Sequence, residues 1–332
     1  MALLSLVLSL LIERFRPLGP GRFPFDAFLR YSDVVARNFN GGRRRHGMLA
    51  WLVAVGPWVL LAEIGFYVCS SLGYVFGLAW SVGVLYLTMG THQFSDGFAR
   101  IHDALRERRL DDARQRVALW SEGPSDDFTE SEVAKVTIEQ GIVRAHQHVF
   151  GVVAWYVFIP AVLGTLLPGG LGLLLSGPGG AVLYRLATLL DERWGRTNDD
   201  AFRAFGEFAR NTAQWLEWVP TRLTALSFAI VGDFEDAVYC WRSQAAAWTD
   251  RNIGILLASG AGALGVRLGE AIHGAGRVIL RPEIGLGDEA DAEHLDSAVG
   301  LIWRALVLWI LVIALMTLAS EVSSLITLAS RA

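Results

Sequence analysis

ALVLWILVIALMTLAS, residues Ala305 to Ser320, contains no charged side chain, and Gly300 to Trp303 extends it toward the N-terminus. A bilayer's hydrocarbon core takes about 20 mostly apolar residues of helix to cross. The stretch therefore predicts a transmembrane helix over 300–322. That reading decides the fold class, because the rest of the chain must then fold with a membrane span.

Composition agrees. Of 332 residues, 53% are hydrophobic, with 12 Trp and 17 Phe, yet 19% are charged and the formal net charge is -4. Soluble chains average about 45–50% apolar and about 25% charged residues. The excess is too oily for an ordinary soluble domain, and the charge too high for a bare bundle of spans, so the apolar residues must lie in blocks. The 35 Gly and 10 Pro show no period, which excludes a collagen-like chain. The two cysteines, Cys69 and Cys240, lie in apolar stretches outside any CxxC and read as buried, unreactive thiols. Lys135 is the only lysine, and a pI near 6.0 gives no global basic field, so no nucleic-acid partner is expected.

The blocks follow along the chain. Met48 to Cys69 holds Pro57 and Glu63 but is long enough to span, and Leu72 to Gly90 follows almost at once, so the pair predicts a helical hairpin. Arg43, Arg44 and Arg45 precede it, while Arg100, Arg106, Arg108, Arg109, Arg114 and Arg116 follow it. Positive residues on both flanks place both ends on the cytoplasmic side. Val149 to Leu183 is uncharged but interrupted at Pro160, Pro168-Gly169-Gly170 and Gly177-Pro178-Gly179-Gly180, a pattern that predicts a re-entrant or broken helix. Ala2 to Ile12 is a short apolar run with its charges behind it, expected to be an anchor and not a removable signal peptide.

Two hydrophilic stretches remain. In Phe94 to Arg144, the residues Phe98, Ile101, Leu105, Leu110, Val117 and Trp120 form an approximate helical stripe, and Phe205, Phe208, Trp215, Leu216 and Val219 suggest another within Arg185 to Arg222. No stretch alternates as strands do. The expectation is an all-α fold, a polytopic membrane helical bundle with re-entrant or broken helices and cytoplasmic amphipathic helices. It forms a single integral-membrane domain over 1–332: anchor and hairpin 1–93, cytoplasmic segment 94–148, motif-bearing core 149–299 and C-terminal helix 300–322.

Common chemical motifs are missing. No GxxxxGK[ST] occurs, and the loose glycine pattern at Gly260 to Gly269 has no strand before it, so close helix packing through small residues is the better reading. On a helix Glu139 and His146 share a face, but His148 points about 200° from His146, which favours a polar lining over a metal site. More telling are Arg185, Asp191, Arg222 and Arg267, each set among apolar neighbours. Facing lipid would cost each about 2.5–3.5 kcal/mol, so they are expected to face a bundle interior or cavity. Arginines suit a phosphate-bearing ligand, and Asp191 suits Mg²⁺ or a partner arginine.

These residues also carry a resemblance. PGGAVLYRLATLLDERWG (Pro178 to Gly195), FGEFARNTAQWLEWVPTRLTA (Phe205 to Ala225) and GAGALGVRLGEA (Gly260 to Ala271) resemble, in order, three motifs of the CobD/CbiB cobalamin-biosynthesis membrane proteins. The resemblance implies an integral, multi-pass protein of the bacterial inner membrane. In its enzyme members an ATP- and Mg²⁺-dependent ligase joins adenosylcobyric acid, a corrinoid small molecule, to aminopropanol or its phosphate through an amide, giving adenosylcobinamide or its phosphate. Carried over by position, it implies that Arg185, Arg222, Arg267 and Asn252 bind substrate and that Asp191 is catalytic and helps hold Mg²⁺-ATP. The lipid bilayer and a possible homo-oligomer complete the expected partners. Thr188 and Leu189, Ala213 and Gln214, Glu217, and Leu256 and Leu257 depart from the motifs, and several of these changes remove candidate Mg²⁺ ligands. The opening MALLSLVLSLLIERFRPL and the stretch WVPTRLTALSFAIVGDFEDA resemble instead the AmpE inner-membrane proteins, a related branch. That likeness implies a non-catalytic regulator or sensor of cell-wall or β-lactamase signalling as the alternative.

Overall fold

A computed structural model of the chain describes residues 1–16, 25–121, 125–158, 160–162, 177–196, 200–274 and 276–329. They form an all-α helical bundle. Among the described residues, three helices are long and apolar enough to cross a membrane: Arg44–Leu72, Glu130–Val162 and Ala292–Val322. Packing divides the chain into two compact units, Ser5–Asp96 with Arg144–Arg222, and Met1–Leu4 with Gly97–Val143 and Leu223–Ala332. They are called the hairpin unit and the C-terminal unit below.

The hairpin unit begins with most of α1 (Ala2–Phe15) and α2 (Phe25–Phe39). Helix α2 buries Phe28, Ser32, Val35 and Ala36, the i, i+4, i+7, i+8 face of an amphipathic helix. The expected hairpin follows as α3 (Arg44–Leu72) and α4 (Tyr74–Thr88), separated at Gly73, whose φ of 147° stops one helix and starts the next. Helix α3 has 29 residues and α4 has 15, so at about 1.5 Å per residue only α3 exceeds a hydrocarbon core of about 30 Å. Helix α8 (Gly179–Leu190) and the first part of α9 (Asp200–Val231) close the unit. Its core stacks Trp194 on Phe205, ring centroids 5.2 Å apart, and sets Trp51 edge-on to Phe208 at 5.8 Å. The predicted stripe on α9 holds for Phe205, but Trp215 is 81% exposed. Ten residues at about 100° each leave it roughly 80° off the buried face.

In the C-terminal unit, α5 (Thr91–Arg106) and α6 (Leu110–Ser121) bury the expected stripe through Phe98, Ile101, Leu105, Val117 and Trp120, with a break at Arg108, where φ is +56°. Helix α10 (Phe234–Ser243) packs on α11 (Arg251–Leu264) through small residues: a Cβ on Gly262 would lie 2.4 Å from the Asp236 carbonyl oxygen. This is the close packing expected of the glycine-rich motif. Burial pushes the Cys240 thiol on α10 up to about 11, consistent with an inert buried cysteine. The long C-terminal helix, α12 (Ala292–Ala329), is held by Trp309, whose Nε1 donates to Ser227 Oγ at 2.6 Å.

Two features differ from the sequence reading. Four short strands occur after α11: β1 (Val266–Arg267) pairs in parallel with β4 (Asp288–Glu289), and β2 (Ile272–Gly274) pairs antiparallel with β3 (Arg277–Ile279). Strands of two or three residues are too short to show alternation. The stretch from Glu130, expected to belong to a cytoplasmic segment, forms α7 (Glu130–Ala145), and Glu130–Val162 is long and apolar enough to cross a membrane. Its charges hid its character, because they gather on one face and are paired there. The interruption at Pro168-Gly169-Gly170 lies outside the described residues.

Close approach of two backbones fixes the hairpin unit's core. A Cβ on Gly206 would lie 1.9 Å from the Trp194 carbonyl oxygen, so the Gly206→Ala variant must shift backbone. It is expected to lose about 1–3 kcal/mol, read as a lower melting temperature of the detergent-solubilised protein. Unchanged melting would refute the contact.

Candidate functional site

Glu63 lies within α3, where an acid facing lipid is costly. It is buried, and its two carboxylate oxygens accept from the backbone N–H groups of Gly177 (3.1 Å) and Gly179 (2.9 Å). An acceptor from a neighbouring helix thus caps α8 at its electropositive end. Helix α8 then turns Tyr184, Arg185 and Thr188 into the unit's interior.

At Asp191 the hydrogen-bond ladder slips. Arg196 N–H donates to the Asp191 carbonyl at 2.9 Å, closing a π turn over Asp191–Gly195. Such turns concentrate at functional sites. The slip brings Arg196 Nε to 2.9 Å from Asp191 Oδ2, the Asp191 side chain being 9% exposed. Burial alone would lower the Arg196 guanidinium, yet Asp191, Glu217 and Glu192 together hold it above its usual value.

Arg185 has a different environment. Burial lowers its guanidinium below the ordinary arginine range, Glu192 and Tyr184 counter this in part, and Arg144 adds to the lowering. Arg185 and Arg144 also lie within electrostatic range of His148. Burial raises the Tyr184 hydroxyl well above its usual value, and Glu217 adds to that rise. Its ring nests on Gly151, where a Cβ would fall 2.1 Å from Cζ. Three buried polar atoms here, Arg185 Nε, Tyr184 Oη and His148 Nδ1, have no hydrogen-bond partner among the described residues. Buried polar atoms are nearly always satisfied, so these three depart from the usual pattern.

The remaining predicted residues are placed as follows. Arg222, in the same unit, folds back along α9, donating to the Trp218 carbonyl at 2.7 Å with Cζ 4.1 Å from the Trp218 ring centroid. Asn252 and Arg267 belong to the C-terminal unit. Asn252 is buried in the first turn of α11, its N–H donating to the Asp250 N-cap at 2.9 Å. Arg267 follows the left-handed Gly265 that ends α11, and its Nη1 is 3.9 Å from Glu270 Oε1.

Around Arg267 lies a network that the sequence reading missed. Glu132, Lys135 and Glu139 are buried at i, i+3 and i+7 on one face of α7. Glu132 accepts from His273 N–H at 2.9 Å and from Thr129 N–H at 2.7 Å. Lys135 pairs with Glu270 and reaches Glu289 at 3.5 Å. Ser131 donates to Glu289 at 2.7 Å, and this bond with the nearby Lys135 charge holds the Glu289 carboxyl below the usual range. Glu139 accepts from Gly269 N–H (2.8 Å) and Arg281 Nη1 (2.6 Å), while Arg281 Nη2 donates to the Gly269 carbonyl (3.0 Å). Glu270 itself has φ +61°, a strained conformation for a residue with a side chain. The spacing of the three charges on α7 was the available signal.

Glu139→Ala and Arg281→Ala each leave one member of this pair buried without its partner, which costs about 3–5 kcal/mol. Both variants are expected to open residues 266–289 to limited proteolysis while α12 stays protected. Equal resistance in wild type and variants would contradict the network.

Comparison with known proteins brings these motifs under one heading. The family model described as CobD/Cbib protein matches residues 3–302. The chain is 33% identical over 316 residues to the cobalamin biosynthesis protein CobD of Stutzerimonas stutzeri (strain A1501), covering 93% of this chain and 96% of that one. It is 34% identical over 228 residues to the Chromobacterium violaceum protein of the same name, covering 69% and 67%, and 25% identical over 333 residues to that of Brucella suis biovar 1, covering 92% and 93%. No solved structure matches the chain. The match takes in the opening residues that resemble AmpE and gives the AmpE-like alternative no support. The chain belongs to the CobD/Cbib family.

Proposed function

We propose that the chain acts in cobalamin biosynthesis as a multi-pass protein of the bacterial inner membrane, forming the amide between adenosylcobyric acid and aminopropanol or its phosphate. The observation that carries this reading is the match to CobD relatives along nearly the whole of both chains. The π turn at Asp191 and Arg222 of the same unit add chemistry that suits such substrates, since the corrinoid acid brings a carboxylate and the phosphorylated amine a phosphate.

Joining a carboxylic acid to an amine requires activation of the acid, which Mg²⁺-ATP supplies when bound. Among the described residues no group of three His, Cys, Asp or Glu side chains forms a metal cage. Mg²⁺ seldom uses one, preferring one or two carboxylates together with substrate phosphates and water. Asp191 fits that demand, with Glu192 and Glu217 near the same Arg196 charge. In this reading Asp191 holds the ion. Arg196 orients the Asp191 carboxylate and Arg222 of the same unit binds an anionic group of the substrate; Arg267 and Asn252, in the C-terminal unit, are candidate substrate-binding residues in their own right. Tyr184, next to Arg185 on α8, stays protonated and can donate but not abstract a proton.

Complementation of a strain lacking adenosylcobinamide-phosphate synthase tests this. Wild type is expected to restore growth on adenosylcobyric acid, and Asp191→Ala and Arg222→Ala to lose at least about a hundredfold in product formation, as removing a transition-state contact does. Failure of a well-expressed, membrane-inserted wild-type chain would sink the ligase reading.

A further inference from the structure

Beside Arg185 lies an apolar pocket of about 210 Å³, walled by Phe25 and Phe28 of α2, Leu61 of α3, Val84 of α4, and Val182 and Leu186 of α8. All of these belong to the hairpin unit. The Thr88 hydroxyl at its edge donates to the Val84 and Leu85 carbonyls at 3.0 and 3.1 Å, so it offers the pocket no donor. The pocket is half open, and Leu61 at its rim is 55% exposed, continuous with the exposed Leu60 and Ile64 of a membrane-length helix. Helix α2 roofs it. That helix turns Phe28 and Val35 inward and carries Arg30, Asp33 and Arg37 among its polar residues, the character of a helix lying in the membrane interface.

Arg185 reaches the pocket through one of its walls. Arg185 stands between Val182 and Leu186 on α8, and its Cζ sits 5.2 Å over the ring of Phe25. Phe25 is therefore both pocket wall and platform for a guanidinium, and that guanidinium's Nε is buried without a hydrogen-bond partner among the described residues. We propose that this is a site for an anionic bilayer lipid, with an acyl chain in the pocket and the headgroup phosphate on Arg185. An apolar cavity of about 150 Å³ already takes an apolar molecule the size of benzene, so the space suits a segment of chain. A free phosphate would satisfy Arg185 and leave the pocket unfilled, and a zwitterionic lipid brings its own cation. Only an anionic amphiphile uses both features. The site goes beyond the ligase reading and does not depend on it. It assigns Arg185 to the lipid and leaves Arg222 and Asp191 of the same unit to the substrate.

Native mass spectrometry of the full chain released from detergent tests the proposal, with phosphatidylglycerol and phosphatidylcholine of identical acyl chains as probes and inorganic phosphate as a third arm. Wild type is expected to retain one phosphatidylglycerol about fivefold more than phosphatidylcholine, the preference that about 1 kcal/mol per basic residue gives. Arg185→Gln is expected to erase the preference while keeping some retention of both lipids. Val84→Phe, which fills the pocket and leaves the charge alone, is expected to lose both, and it carries the test should Arg185→Gln fail to fold. Equal retention of the two lipids by wild type, phosphate raising the melting temperature as much as phosphatidylglycerol does, or full retention in Val84→Phe would each overturn it. Cobinamide formation measured on the same preparations separates this outcome from that of the ligase reading.

Discussion

Two backbone N–H groups that end on the carboxylate of Glu63 determine where the hairpin unit's charged residues stand. An acid in a membrane-length helix is tolerated only with partners, and the partners here are the amides of Gly177 and Gly179 at the start of α8. Both residues must be small, since a Cβ on Gly179 would lie 2.5 Å from Glu63 Oε1 and one on Gly177 would lie 2.6 Å from Oε2. The bond fixes the rotation of α8 about its own axis. Arg185 follows Gly179 by six positions, and the π turn at Asp191 by twelve. A rotation of α8 would carry Arg185 away from Phe25 and Tyr184 away from Gly151, so the cap, the nest and the cation form one construction.

The C-terminal unit solves an analogous problem differently. Residues 266–289 include strands of two or three residues and bury Val266, Leu268, Ile272 and Ile284. Three charges from α7 add to this, each reaching a different part of the segment: Glu132 to His273, Lys135 to Glu270 and Glu289, and Glu139 to Gly269 and Arg281. Paired charges of this kind add more to specificity of arrangement than to net stability. They also keep Glu270 in a backbone conformation that it would otherwise leave.

What was legible in the sequence follows from length and period. The spans over α3 and α12 were plain, because apolar runs near 20 residues match a bilayer's thickness whereas buried core segments are usually shorter, about 10–14 residues. The hairpin and the stripe on α5 and α6 followed from spacing. Helix α2 was missed although its period is strong: Arg30, Asp33 and Arg37 alternate with its buried residues within a stretch that no hydrophobic block announces. The helix from Glu130 was misread because Glu132, Lys135 and Glu139 count as hydrophilic one by one. Only their common face shows that they are interior, and only the partners, more than a hundred residues later, account for it. The motif residues were legible as types. Their placement in separate units was not, since Arg185 and Asp191 share a helix and its π turn, whereas Asn252 and Arg267 flank α11.

The departures from the family motifs take on a different meaning once the side chains are placed. Acidic positions are lost at Ala213 and Gln214, and by sequence alone this weakens any site needing carboxylates. An acid has been gained at Glu217, where the resembling motif has an amide, one helical turn further along α9. Glu217 is buried, and its charge is felt by both Tyr184 and Arg196. Arg196 is exposed, and Asp191, Glu192 and Glu217 lie close enough to favour its charge. Glu217 supplies negative charge close to the Arg196 that holds Asp191, so the absence of acids at 213 and 214 does not leave Asp191 without a charged setting.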